Sequence, residues 1–492
     1  MPAVRASGKD RGLDAALALF AGAVAALLLG FRFLPMLDLP QHAAQLSAWV
    51  HYDDPRFGFR DQFVVNWRTP YLTCYLLARP LAALVGVLAA LKLLVVAASV
   101  ATMLALRQLA RARGHDEWFC LAGAPLSLGY SFYGGFLAFL VATPLALFAV
   151  AAALAHAAAP TPRRGLAVTL LLVATLATHA LAFAIAIALV AAILSPSPKQ
   201  LWPLLPPLLL PLPWLPGFWR SGAPTLHPEQ WSLDAARLVE LPRLLVGFGG
   251  YAGAASDVEA TLFGIALLVV LVLALGRPSR APSSWLPLAI ALAVYLLLPF
   301  ELRGVAFLWP RFAPFVVFGL LLALEPRHRL LSTAARRALL VATPALWLAL
   351  VGARLHAFSE ECAGFTDVID AMPPNQRLRP LILVSASAAF PGVRPFVHFG
   401  AYYQAERGGW LGFSFARNYT SFIRYRDGVR FGMREDDEWR AERFDAAREA
   451  GDYDFFLVRS DRDVSDLLFR GAPSPIALFA HAGDWWAYRR QP

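Results

Sequence analysis

Apolar residues fill this chain in long blocks, and polar positions fall in narrow bands between them. A bilayer-crossing helix needs about 20 mostly apolar residues, so the blocks read as membrane spans. The first covers about Leu13–Leu34, and the second, about Val87–Leu109, ends among Arg107, Arg111 and Arg113. Trp118–Tyr133 and Phe136–His156 read as a pair that returns to Arg163 and Arg164. Later blocks lie at about Thr261–Leu275, Trp285–Phe300, Phe312–Leu324 and Ala338–Phe358.

Two blocks depart from this simple pattern. Gly165–Leu194 has basic residues on both flanks, Arg164 and Lys199. If both flanks share a side, the stretch must enter and return as two helices of about 15 residues, each near ~22 Å long. Its apex is then "THALAF", Thr178–Phe183; the alternative is one long tilted span. The second block, "LWPLLPPLLLPLPWLPGFW", carries prolines at 203, 206, 207, 211, 213 and 216. Proline removes a backbone donor and clashes with the preceding turn, so a kinked or broken helix is expected there.

The pattern changes at about Ser359. The remaining residues hold close to half of the charged side chains. "PLILVSA" and "YDFFLVRS" read as buried strands, and "WRAERFDAAREAG" reads as a helix ending at glycine. "PIALFAHAGDWWAYRR" reads as two closing strands across an Ala-Gly-Asp turn. The expected fold is mainly α. It is a polytopic helical membrane domain of about eleven spans, residues 1–358, with a long first external loop at 37–86. A small extracytoplasmic α/β domain follows at 359–492. That domain shows no nucleophile motif or phosphate loop, and "YYQAERGGW" lacks dinucleotide spacing.

Composition agrees with the membrane reading. The chain is 58% hydrophobic and 16% charged, with mean hydropathy +0.53. Its formal charge of +10 reflects basic loops between spans and is not a nucleic-acid signal. The Lys/Arg bands place the N-terminus in the cytoplasm and the C-terminal domain outside. The first block has no small-residue cleavage site and reads as an anchor instead of a cleaved signal. Cys74, Cys120 and Cys362 form neither a disulfide framework nor a metal-ligand spacing.

Candidate chemistry begins where the first span ends, at "FLPMLDLPQHAAQLSAW". Asp38 precedes Pro40, with Gln41 three residues on, which suits a helix cap; the same carboxylate could also act as a base at the membrane face. His42, at i+4, shares its helix face. Asp53 and Asp54, in "YDDPRF", read either as a site for a divalent ion or an acceptor, or as a turn before Pro55. His179 is ionisable at membrane depth, where such groups tend to face a cavity or a partner. Arg303 and Arg311 flank an apolar external loop; the plain alternative for both is snorkelling at the interface.

This organisation resembles the GT-C superfamily of glycosyltransferases, which includes aminoarabinose transferases and protein O-mannosyltransferases. The resemblance rests on "LDLPQHAAQLSAW", "TPYLTCYLLARPLAALVG", "THALAF" and "ELRGVAFLWPRF". Many members carry an acidic pair at the first motif, whereas here Asp38 stands alone. The resemblance implies a bacterial inner-membrane enzyme with a polyprenyl-phosphate-sugar donor. It implies inverting transfer to an extracytoplasmic lipid, glycan or protein acceptor. Asp38, with His42, is the implied catalytic group, and Arg303, Arg311 and His179 are the implied donor-phosphate ligands. Whether a metal ion takes part is left open. Other function classes compatible with the spans are a transporter or flippase and a non-catalytic envelope assembly protein.

Overall fold

The computed structural model describes residues 10–213, 234–248, 257–302, 305–326, 331–418, 420–429, 433 and 436–492. Among them, five helices are long and apolar enough to cross a bilayer. Four are Arg11–Gly30, Val87–Arg113, Leu137–Ala158 and Val258–Leu275, and the fifth begins at Thr333. Shorter apolar helices include Leu72–Val85, Ala180–Leu194 and the stretch Trp309–Ala323. Trp118–Tyr133 is broken into a 3-10 turn, Glu117–Ala122, and two short helices, Gly123–Ser127 and Tyr130–Tyr133. The described part of the proline-rich block, 201–213, is likewise broken, into Trp202–Leu204 and Leu205–Leu209, as its missing backbone donors require, and 214–219 lie outside the described residues.

The chain forms two compact units that do not follow chain order. Met1–Gly30 and Leu94–Gly352 form one, and Phe31–Leu93 joins Ala353–Pro492 in the other.

In the first unit, an ionic cluster gathers helix ends that are far apart in sequence. Arg107 and Arg111 each reach Glu117 at 2.8 Å. Arg107 also reaches Asp14 at 2.8 Å, and Arg336 reaches Asp116 at 2.8 Å. Arg337 bridges Asp116 and Asp10 at 3.3 and 3.4 Å. These are basic bands that the charge pattern assigns to one membrane face.

The stretch 162–194 is two helices, Pro162–Thr178 and Ala180–Leu194, separated by His179. Thr161 starts the first by accepting from Arg164 N–H, with Pro162 in the first turn. The chain then reverses. Thr169 Oγ1 donates to Pro203 O at 2.9 Å, and a Cβ on Gly165 would run into the Trp202 ring. A straight continuation past His179 would put Leu194 about 43 Å from Gly165. The eight residues to Trp202 span at most ~28 Å, which is too short to come back. The two helices therefore return the chain to where they began.

The second unit is built on a mixed five-stranded sheet. Its order is Trp410–Leu411, Arg377–Ile382, Phe455–Arg459, Trp485–Arg490, Ile476–Ala482. The first three strands are parallel, and the last two join antiparallel across Gly483, whose φ is +58°. Leu381, Tyr453, Phe456, Val458 and Tyr488 pack as its core. The expected helix over 439–451 is instead a set of short turns, Ala441–Arg443, Ala446–Glu449 and Ala450–Asp452. Phe444 leaves helical conformation to pack on that core, and Asp445 caps the next turn by accepting from Ala447 N–H.

The first loop is woven into this unit. Phe63–Val65 pairs antiparallel with Ile423–Tyr425. The helix Leu39–Val50 packs on the helix Gly400–Arg407, and Ser47 Oγ donates to Ala405 O at 2.6 Å. The glycines of "YYQAERGGW" end the second of these helices. Gly408, at φ +75°, lets the Phe57 backbone come close enough to exclude a side chain.

Candidate functional site

The second unit holds Asp38, His42 and two partners that come from elsewhere in the chain. Asp38 sits at the start of the Leu39–Val50 helix, yet its side chain makes no capping hydrogen bond. Gln41, which would complete a capping box, instead accepts from Phe415 N–H at 3.1 Å. Gln45 similarly accepts from Ile423 N–H at 3.3 Å. The polar residues of the amphipathic stretch therefore dock the helix against the C-terminal segment. The Asp38 carboxylate is left one-sixth exposed, with Oδ1 3.7 Å from His398 Nε2.

His42 Nδ1 and Tyr75 Oη are hydrogen-bonded at 2.8 Å. Burial pushes the Tyr75 phenol up, with further contributions from Cys74 and Asp38, so it stays protonated. His398 stacks on Phe413 at 5.3 Å and meets the edge of Phe415 at 5.6 Å. Burial, and then the charge of His42, hold the His398 imidazole down to about 3. It is neutral at physiological pH, so its contact with Asp38 is not an ion pair.

Asp53 and Asp54 lie in a turn, each facing an arginine. Asp54 bonds Arg56 at 2.7 Å, and Asp53 bonds Arg60 at 2.8 Å. Hydrogen bonds from Arg56 draw the Asp54 carboxyl down to about 2. The folded pKa lies below the ordinary one, so the pair's contribution is present above about pH 4 and lost only as pH falls toward 2. Among the described residues, no three His, Cys, Asp or Glu side chains gather to hold a metal ion. Both carboxylates are engaged by guanidinium groups. Asp53→Asn and Asp54→Asn are expected to change activity less than twofold, measured by turnover in isolated membranes. A loss beyond tenfold in either would return the pair to the site.

The first unit holds His179 and Arg311. His179 breaks the two helices apart at φ −162° and caps the second, its Nδ1 accepting from Leu181 N–H at 3.2 Å. It is buried edge-on to Phe139 at 5.2 Å, and Phe139 is edge-on to Phe312 at 5.7 Å. Arg311, 8% exposed, lies 3.7 Å above the Phe136 ring centroid. Its Nε and Nη2 donate to Phe307 O and Ala306 O, both at 2.9 Å. Phe307 has φ +61°, a conformation that costs a non-glycine residue about 1–3 kcal/mol and aims its carbonyl at the guanidinium. Phe136, the last residue of "YSFYGGF" (Tyr130–Phe136), thus supplies the aromatic face beneath Arg311. Arg303 lies outside the described residues.

The sequence reading misses Tyr75 and His398. Tyr75 lies in the loop already singled out, on the buried face of Leu72–Val85 with Cys74, Ala78 and Ala82. His398 carries only a weak local signal, a lone histidine in the aromatic stretch "RPFVHFG", 360 residues from Asp38.

No family model matches the chain, and no curated protein matches it. Among solved structures it is similar to the arabinofuranosyltransferase AftD from Mycobacteria, at 14% identity over 99% of this chain, TM-score 0.52. The chain spans 40% of that protein's length. It is also similar to ArnT from Cupriavidus metallidurans bound to undecaprenyl phosphate, at 12% identity, 98% of each chain and TM-score 0.52. The apo state of ArnT gives 13% identity over 97% of this chain and 98% of that one, TM-score 0.52. The chain therefore shares the fold of these two transferases. With its apolar helices, the chain is a multi-pass membrane protein.

Proposed function

We propose that this chain, with its GT-C fold, is an inverting glycosyltransferase that moves a sugar from a polyprenyl-phosphate donor to an extracytoplasmic acceptor. The observation that carries the reading is Asp38. It is a partly exposed carboxylate at a helix start that it does not cap, directly after the first span. The ArnT structure holds undecaprenyl phosphate, which supports a lipid donor of that chemistry.

The reaction has simple demands. The donor already carries a phosphate leaving group, so no strong acid is required. The acceptor hydroxyl must lose its proton as it attacks, and Asp38 takes that proton. The acceptor oxygen bonds to the sugar's anomeric carbon as the bond to the phosphate oxygen breaks. One displacement inverts the configuration. The departing polyprenyl phosphate gains negative charge, and a buried arginine answers that demand. Arg311, with His179 and Arg303, is assigned to the phosphate, where low dielectric strengthens charge-assisted contacts. His42, fixed by Tyr75, shares Asp38's helix face and orients the acceptor. No step is assigned to a metal ion.

The test is transfer of radiolabelled sugar from a lipid-linked donor pool in membranes with and without the protein. Mass spectrometry of lipid retained by the purified chain identifies the donor. Transfer that does not depend on the protein would return the transporter or assembly readings. The orientation belongs to the same proposal: N-terminus in the cytoplasm, C-terminal unit outside the inner membrane. An impermeant thiol reagent is expected to label cysteines placed at Asp61 and Ser465, and not at Arg111. Protection at Ser465 would reverse the outer placement of the C-terminal unit.

A further inference from the structure

Beside His398 the second unit contains a small cavity of about 20 Å³. Gln41, His398 and Glu438 supply its polar lining, with Phe413 and Met433 among the apolar groups around them. Such a volume admits a single water molecule, and a buried water needs two to four polar partners. Glu438 Oε2 is buried and has no hydrogen-bond partner among the described residues. An orphaned buried oxygen is costly, and ordered water is the usual remedy. His398 lines the same cavity, and its Nε2 lies 3.7 Å from Asp38 Oδ1.

We propose that this cavity binds one ordered water joining Glu438 to His398 Nδ1, and that this link sets the imidazole tautomer presented to Asp38. The inference rests on the reading of Asp38 as the base. It makes His398 and Glu438 positioning residues.

The proton positions are mutually consistent. Burial pushes the Glu438 carboxyl up to about 7; its own backbone N–H and Arg417 oppose the rise, and Asp436 and Asp437 add to it. His398 is neutral, with Asp38 on one side and His42 nearby. The other cavity-lining side chains are uncharged. With Glu438 protonated, its O–H donates to the water and the water donates to Nδ1. The single imidazole proton is then on Nε2 and faces Asp38 Oδ1. At 3.7 Å this contact is just outside hydrogen-bond range. It tightens in the substrate complex, as catalytic hydrogen bonds that are loose in the free enzyme do. That contact orients the carboxylate toward the acceptor hydroxyl. When Glu438 ionises, it becomes a second acceptor. Two carboxylates then compete for one imidazole proton, and the Nε2–H population falls.

The experiment uses full-length protein labelled with ¹⁵N-histidine in lipid nanodiscs. The His398 signals are those lost in His398→Gln. The expected result is a protonated Nε2 and a bare Nδ1 at pH 6, shifting with a midpoint near about 7 as Glu438 titrates. In Glu438→Gln, whose amide donates at every pH, the Nε2–H form persists to pH 8.5. A proton on Nδ1 at pH 6, or an unchanged titration in Glu438→Gln, overturns the proposal. Sugar transfer gives the second readout. His398→Ala is expected to lose on the order of 10- to 100-fold, the usual weight of an orienting partner. His398→Gln, which keeps a donor toward Asp38, recovers at least a tenth of the wild-type rate. Equal losses in the two variants count against the orienting role. If the wild type transfers no sugar, the function reading fails, while the titration still decides the Glu438–His398 link.

Discussion

Asp38→Asn is expected to lower sugar transfer by about 10²–10⁴ while leaving folding and melting temperature unchanged. The range is the usual weight of general acid–base catalysis. Asparagine keeps the size and polarity of the side chain but cannot take a proton from an attacking hydroxyl at neutral pH. The structure also changes what alanine is expected to do. An N-cap residue that accepts a backbone N–H typically contributes about 1 kcal/mol, which alanine would lose. Asp38 makes no such bond, and Gln41 is occupied with Phe415. Asp38→Ala is therefore expected to match Asp38→Asn in both readouts. Paired assays of transfer and thermal unfolding on purified protein check this. A fully active Asn variant removes Asp38 as the base. A loss of activity in Ala alone, accompanied by a lower melting temperature, identifies it as a structural residue.

Arg311→Ala is expected to weaken donor binding by about 10- to 150-fold and leave acceptor binding little changed. The loss corresponds to one charge-assisted contact in a partly dry site, about 1.5–3 kcal/mol. Arg311 is well placed for such a contact because its orientation is set before any ligand arrives. The Phe136 ring lies beneath it, and the carbonyls of Ala306 and Phe307 hold two of its nitrogens. Arg311→Lys keeps the charge but loses the planar fork and the ring stacking, so it is expected to fall between alanine and wild type. The measurement is affinity for polyprenyl phosphate in detergent, with a melting curve of each variant without donor. Unchanged affinity in the alanine variant would falsify the phosphate role and leave Arg311 as a packing residue.

Several features were legible because they follow from local rules. Apolar block length predicted the helices Arg11–Gly30, Val87–Arg113 and Leu137–Ala158 within a few residues. Basic flanks predicted the reversal at "THALAF", since a chain with both ends on one side must turn between them. The alternating pattern around Ala-Gly-Asp predicted the closing strands Ile476–Ala482 and Trp485–Arg490. The failures came where a tertiary partner outweighed a local preference. Asp38-Leu-Pro-Gln has the spacing of a capping box, but Gln41 finds a backbone donor 374 residues away. The pattern over 439–451 favours a helix, but burial of Phe444 in the sheet's core interrupts it.

By itself the sequence determined the membrane class, the placement of most helices, and a short set of candidate ionisable residues. Those properties depend on hydrophobicity, charge and spacing within a window of some twenty residues. Only the tertiary structure decided that Phe31–Leu93 packs with Ala353–Pro492 in one unit. It alone brought His398 to Asp38, Tyr75 to His42, and Phe136 beneath Arg311. It also placed Glu438 in the cavity that His398 lines. These pairings join segments separated by tens to hundreds of residues. They are set by which buried polar group finds a partner once the apolar faces have packed, and that choice is not encoded in any local stretch of the chain.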